Sequence, residues 1–155
     1  MGRVAPMGVI KGSHTVEIEA PLARVYEVAA NVAGAAEWQP SVLAVEVLET
    51  HPDGSAHRVE LEVDAVVKKS KAILAYEYEE PNRVSWVQEK GDPKSLHGSW
   101  ELEEISAKQT RATYVLESDP GRMLGMLLRG PVEGKVREFL TKGAAEGLKE
   151  YCESS

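Results

Sequence analysis

The chain has one cysteine, Cys152, one phenylalanine, Phe139, and an excess of acid over base that leaves a net charge of −7. A single cysteine excludes an internal disulfide and fits a reducing cytoplasm. The acidic balance argues against binding through phosphate neutralisation, so no nucleic-acid partner is expected. No stretch is long and apolar enough for a transmembrane helix, and the first twelve residues lack the apolar run of a secretory signal. A cytoplasmic protein without integral membrane association is therefore expected. Catalytic signatures are missing too. There is no Gly-x-Ser-x-Gly elbow, no His-Glu-x-x-His helix and no paired-cysteine motif. The glycines at 121, 125 and 130 fit neither nucleotide fingerprint. No cofactor and no metal site is expected, and no catalytic residue can be assigned by motif.

What the chain does contain is a long succession of strand patterns closed by one helix. At 155 residues a single domain with a substantial core is the natural expectation. Residues 1–12 read as a flexible tail and 13–152 as the domain. His14, Val16 and Ile18 alternate with Thr15 and Glu17, which describes a half-buried strand. Pro21 stands where a helix starts, and Leu22, Val25, Tyr26, Ala29 and Val32 follow at helical spacing. A second short turn over residues 35–38 ends before Pro40. Six strand patterns then run from Val42 to Ser118. Turns fall at 51–54, 80–82 and 91–93, and Lys68, Lys69 and Lys71 read as a solvated hairpin tip. Residues 122–130 form an apolar connector that is either packed under the last helix or a gate over an entrance. Pro131 to Tyr151 makes one amphipathic helix. Gly143 and Gly147, one turn apart on its apolar face, mark either close packing or room for a ligand.

A long antiparallel sheet cannot cover its own apolar face, and a single terminal helix laid across a curved sheet leaves room between them. The expected architecture is α+β: a curved seven-stranded antiparallel sheet wrapped around a long C-terminal helix, with two short helices after the first strand. Inward strand positions carry Val59, Leu61, Val63, Leu74, Tyr76, Tyr78, Trp86, Gln88, Leu96, Trp100 and Tyr114. With Trp38 from the short turn, Met123, Met126 and Leu127 from the connector, and Phe139, Leu140 and Gly143 from the helix, they form the candidate ligand-binding set. Aromatic walls with a few polar handles suit a flat or elongated organic molecule. His14, His57, Gln88 and Tyr76 are the weak candidates for proton transfer. His97 shares a face with Glu101 and Glu103 and is expected in solvent, and His51 belongs to a turn.

Several segments resemble one known family. Val16-Glu-Ile-Glu-Ala-Pro21 followed by Val25-Tyr26 resembles its first strand and helix start, and Glu37-Trp-Gln-Pro40 followed by Val45-Glu-Val-Leu48 its passage into the second strand. Arg83-Val-Ser-Trp86, Gly98-Ser-Trp-Glu-Leu102 and Thr110-Arg111 resemble later strands. The chain is identified on these segments as similar to the START-like (SRPBCC) superfamily, in its polyketide cyclase/dehydrase and lipid-transport branch. That resemblance implies a helix-grip fold and a hydrophobic ligand between sheet and helix. The expected function is binding or transport of a lipid, isoprenoid or polyketide-like aromatic, by a monomer or homodimer. An aromatase/cyclase-type enzyme is the alternative, and a protein-interaction module the third, which would need an exposed apolar patch.

Overall fold

The computed structural model describes residues 9–128 and 130–154, with the side chains of Met123 and Leu124 outside that description. Strand β1 (Ile10–Ile18) is followed by α1 (Leu22–Ala30), a 3-10 helix (Val32–Glu37), and then six strands in succession. These are β2 (Val42–Thr50), β3 (Ala56–Asp64), β4 (Lys69–Glu79), β5 (Arg83–Gly91), β6 (Ser95–Ser106) and β7 (Gln109–Asp119). A short α2 (Arg122–Leu127) leads into α3 (Pro131–Glu153). The strands form one antiparallel sheet in the order β1-β7-β6-β5-β4-β3-β2. Seven strands, a long terminal helix and short helices after β1 constitute the helix-grip architecture.

Alternation in the sequence explains the two faces. Val59, Leu74, Tyr76, Val84, Trp86, Trp100, Ala112 and Tyr114 are buried on the inner face. The outer face is held by arginines bracketed between carboxylates of neighbouring strands. Arg58 bonds Glu49 and reaches past β4 to Glu89, Arg83 bonds Glu101 and Glu79, and Arg111 bonds Glu17 and Glu103. Each pair is solvent-exposed and contributes at most about 1 kcal/mol, so the outer face secures solubility and register more than stability. Val136, Leu140, Ala144, Leu148 and Cys152 put the buried stripe of α3 against the core. No helix among the described residues is long and apolar enough to cross a membrane.

The domain begins earlier than its clearest alternation suggests. Ile10, Lys11 and Gly12, expected in a tail, pair with Ser118, Glu117 and Leu116 of β7. Strand β7 runs on to Asp119 and offers its ladder to whatever chain lies beside it, and Ile10 is buried there. The remainder of that tail, residues 1–8, lies outside the described residues. Strand β2, at the other edge, exposes Leu43, Val47 and Leu48. Three irregularities in its pairing with β3 kink that edge, which is how exposed edges are kept from pairing with other chains.

Candidate ligand cavity

Between the inner face, α1, the 3-10 helix and α3 lies an apolar cavity. It offers about 100 Å³ to the centre of a water-sized sphere, within about 1040 Å³ of empty space that opens to solvent. One water needs only ~10–15 Å³ by the first measure, so this is a chamber and not a packing defect.

Its main wall is a run of rings that crosses four strands and ends on Trp38. Tyr76 of β4 lies 5.7 Å from Trp86 of β5, and Trp86 lies 5.5 Å from Tyr114 of β7. Tyr114 is 4.7 Å from Trp100 of β6, which is 5.9 Å from Trp38. Trp86 reaches Tyr114, two strands away, because Gly98 of β6 pairs between Trp86 and Leu116 and carries no side chain. A Cβ at Gly98 would lie 2.8 Å from the Trp86 ring and would overlap the Val115 carbonyl. Glycine at this position therefore sets the plane of the wall.

Polar groups on the wall are few and uncharged: Gln39, Ser41, Ser70, Ser118 and the hydroxyls of Tyr76 and Tyr114. Among the described residues no Asp, Glu, His, Lys, Arg or Cys lines the cavity. The Tyr76 hydroxyl lies on the wall, and Gln39 Nε2 donates to the Tyr114 oxygen over 3.5 Å. Burial pushes the Tyr76 hydroxyl well above the ordinary tyrosine range, with Tyr114 and Tyr78 adding to the rise. Burial also pushes Tyr114 up to about 12, against the bond from Gln39. Both are held as neutral phenols that donate hydrogen bonds.

Of the candidate set, Trp38, Leu61, Val63, Leu74, Tyr76, Trp86, Leu96, Trp100, Tyr114 and Leu140 line this space. The others are placed elsewhere. Val59 is fully buried in the core, not on the wall. Tyr78 shares the face of Tyr76, yet its hydroxyl is spent on the Ala56 carbonyl at 2.6 Å. Phe139 is half-buried against the core, and Leu140, one residue on, takes the wall position. Met126 and Leu127 are exposed on α2, at 59% and 57%, because this short helix turns that side to solvent. The Met123 side chain lies outside the described residues. Gly143 does not line the cavity, and a Cβ there would meet only the Phe139 ring, at 3.9 Å.

The proton-transfer candidates separate as well. His14 sits in a shallow polar groove between β1 and α3 with Arg137 and Thr141. His57 stacks on His51, centroids 4.2 Å apart, and is not on the cavity wall. Gln88 lies beside Leu74, and its Nε2 donates to the Pro93 carbonyl at 2.7 Å. That bond fixes the amide, leaving Oε1 buried without a partner among the described residues. His97 is exposed, as its charged face implies.

Sequence reasoning missed part of the wall. Ile10 lines it from the segment read as tail, although stepping back by two from His14 through Gly12 reaches Ile10. Pro93, Pro120 and Leu128 contribute from turns and the connector, where no periodicity exists to aim them.

Residues 9–153 match the family model described as polyketide cyclase / dehydrase and lipid transport. The chain belongs to that family. Solved structures share its fold. A START superfamily protein from Mycobacterium smegmatis is 18% identical with a TM-score of 0.81, covering 93% of this chain and 97% of that one. A protein from Thermus thermophilus is 23% identical with a TM-score of 0.79, covering 92% and 96%. The Zhui aromatase/cyclase from a Streptomyces species is 20% identical with a TM-score of 0.73, covering 94% of each chain. No curated protein matches by sequence. Family members thus span transport and catalysis, and the site has to separate the two.

Proposed function

We propose that the protein binds a hydrophobic small molecule, such as a lipid, isoprenoid or polyketide-like aromatic, in the cavity and carries it without converting it. One observation supports this most: the wall has aromatic and aliphatic side chains and neutral hydroxyls or amides, but no carboxylate, imidazole, amine or thiol among the described residues. General base catalysis needs a group that accepts a proton near neutral pH. Tyr76 and Tyr114 hold their protons too tightly for that role. A neutral ligand that gains its affinity from burial and ring contacts, with an oxygen accepting from Tyr76, suits such a wall.

A second reading, an aromatase/cyclase-type enzyme, draws on two polar groups. The Tyr76 hydroxyl is a donor on the wall, and Gln88 Oε1, off the wall, is a buried acceptor without a partner among the described residues that a folded polyketide reaching it would satisfy. An aromatase/cyclase with this fold gives that reading its reaction class.

Native mass spectrometry of freshly purified protein, followed by solvent extraction, tests the carrier reading. The expected result is a copurified neutral molecule, or one-to-one uptake of an added apolar fluorescent probe that Trp86→Ala weakens. Turnover of a polyketide or ester analogue above the buffer rate, lost in Tyr76→Phe or Gln88→Ala, would replace it with the enzyme reading. A wild-type protein that neither retains nor takes up any apolar molecule would end both.

A further inference from the structure

We propose that His51, His57 and Glu77 form a binding site for one divalent transition-metal ion of the zinc type, outside the cavity. One nitrogen of each ring and one carboxylate oxygen all lie within 4.8 Å of one another. The three come from separate stretches: the turn after β2, the start of β3 and the far half of β4. No sequence spacing announces them, and they meet only because the 51–54 turn folds back over β4.

Two imidazoles and a carboxylate are a donor set for Zn²⁺, Co²⁺, Ni²⁺ or Cu²⁺, and a poor one for the hard ions Ca²⁺ and Mg²⁺. Bonds of ~2.0–2.1 Å in a tetrahedron put neighbouring donors about 3.3 Å apart. The present spread, within 4.8 Å, must therefore contract by no more than about 1.5 Å. Glu77, whose side chain is 69% exposed, can supply part of that movement, and His57 supplies the rest by turning out of its stack on His51 so that both rings aim a nitrogen at one point.

His51, in contrast, is held. Its Nε2 lies 2.8 Å from the Tyr76 carbonyl oxygen, its face stacks on His57 at 30°, and the Tyr78 ring meets it edge-on at 85°. A ligating histidine commonly gives its other N–H to a carbonyl, which fixes tautomer and ring plane, and the Tyr76 carbonyl is placed for that duty. Asp53, the one acid of this turn, is engaged with the Ser55 amide and hydroxyl. The remaining coordination positions are thereby left to water, which gives an open three-ligand site.

Calorimetric titration of chelator-treated full-length protein with zinc sulfate tests this, with cobalt absorption spectra as a second readout. The expected result is one Zn²⁺ per chain, and cobalt bands of four- or five-coordinate intensity. His57→Ala and His51→Ala should each weaken binding by about a hundredfold. Glu77→Gln leaves an exposed side chain of the same size and keeps the test valid if a histidine variant fails to fold. It should weaken zinc binding by at least about tenfold. Absence of a one-to-one zinc step in the wild type would overturn the proposal, as would unchanged binding in folded His57→Ala and Glu77→Gln. The first result would leave the two rings as a stacked structural pair, and the second would place the ion among other surface carboxylates.

Discussion

The carbonyl oxygen of Trp38 lies against the α-carbon of Gly147, so close that any β-carbon there would overlap it, with Pro40 Cδ 3.3 Å from the same point. The contact joins the end of the 3-10 helix to α3 at the Trp38 end of the aromatic wall. It also separates two glycines that the sequence presents as a pair. Gly147 is required by a backbone neighbour, whereas Gly143 faces nothing nearer than the Phe139 ring.

Opposite effects follow from alanine at these two positions. Gly147→Ala should cost about 1–3 kcal/mol, because a carbonyl cannot turn aside as a side chain would. Gly143→Ala should add about 1 kcal/mol through helix propensity alone. Thermal or urea melts of both variants read the difference. Destabilisation by both would show that Gly143 needs its missing side chain as well.

Gly98→Ala should disturb the cavity without touching its apolar composition. The new methyl group meets the Trp86 ring and drives it off β6, breaking its approach to Tyr114. The expected result is a changed near-ultraviolet dichroism spectrum and weaker uptake of an apolar probe, with a stability loss of about 1–3 kcal/mol. Unaltered probe affinity in a folded variant would remove Trp86 from the binding wall.

Tyr76→Phe removes a hydroxyl that lies on the cavity wall. Probes with a carbonyl oxygen should lose affinity and pure hydrocarbons should not. Equal loss for both classes would mean that the ring, and not its hydroxyl, is what the ligand meets.

Stability should fall as the solution is made alkaline, beginning near pH 9. Burial pushes the Cys152 thiol up to about 11 and the Tyr114 phenol to about 12, with the Tyr76 and Tyr78 phenols raised as well. In the unfolded chain these groups ionise near 8.5 and 10. Above those values the unfolded state has lost protons that the folded state keeps, so unfolding is favoured as pH rises. Tyr114→Phe should flatten the decline between pH 10 and 12, measured by urea melts at fixed pH. A slope unchanged by that substitution would show the phenol to be solvated in the native state.

Much of the fold was legible because alternation in β2 through β7 and the stripe of α3 are each set by one face against water. The cavity was legible only in part, since a period of two assigns a face but not a depth along the strand. Tyr76 and Tyr78 share a face, and only the first lies beside the chamber. Phe139 and Leu140 are neighbours on one stripe, and the helix's rotation chose between them. His51 read as a turn residue, and no pattern singled out Glu77. Their proximity depends on how the turn packs over β4, which no local pattern encodes.

The seam between β1 and β7 orders events during synthesis. Among the described residues, strand β1 pairs with no strand but β7, whose residues leave the ribosome about a hundred residues after Ile10. At the usual pace of translation that is roughly 5–20 s in which Ile10 and Ile18 have no sheet to enter. Strands β2 to β6 can add to one another as they emerge, but the sheet stays open at one side until its last strand arrives. The first strand made is therefore the one that waits longest for its partner.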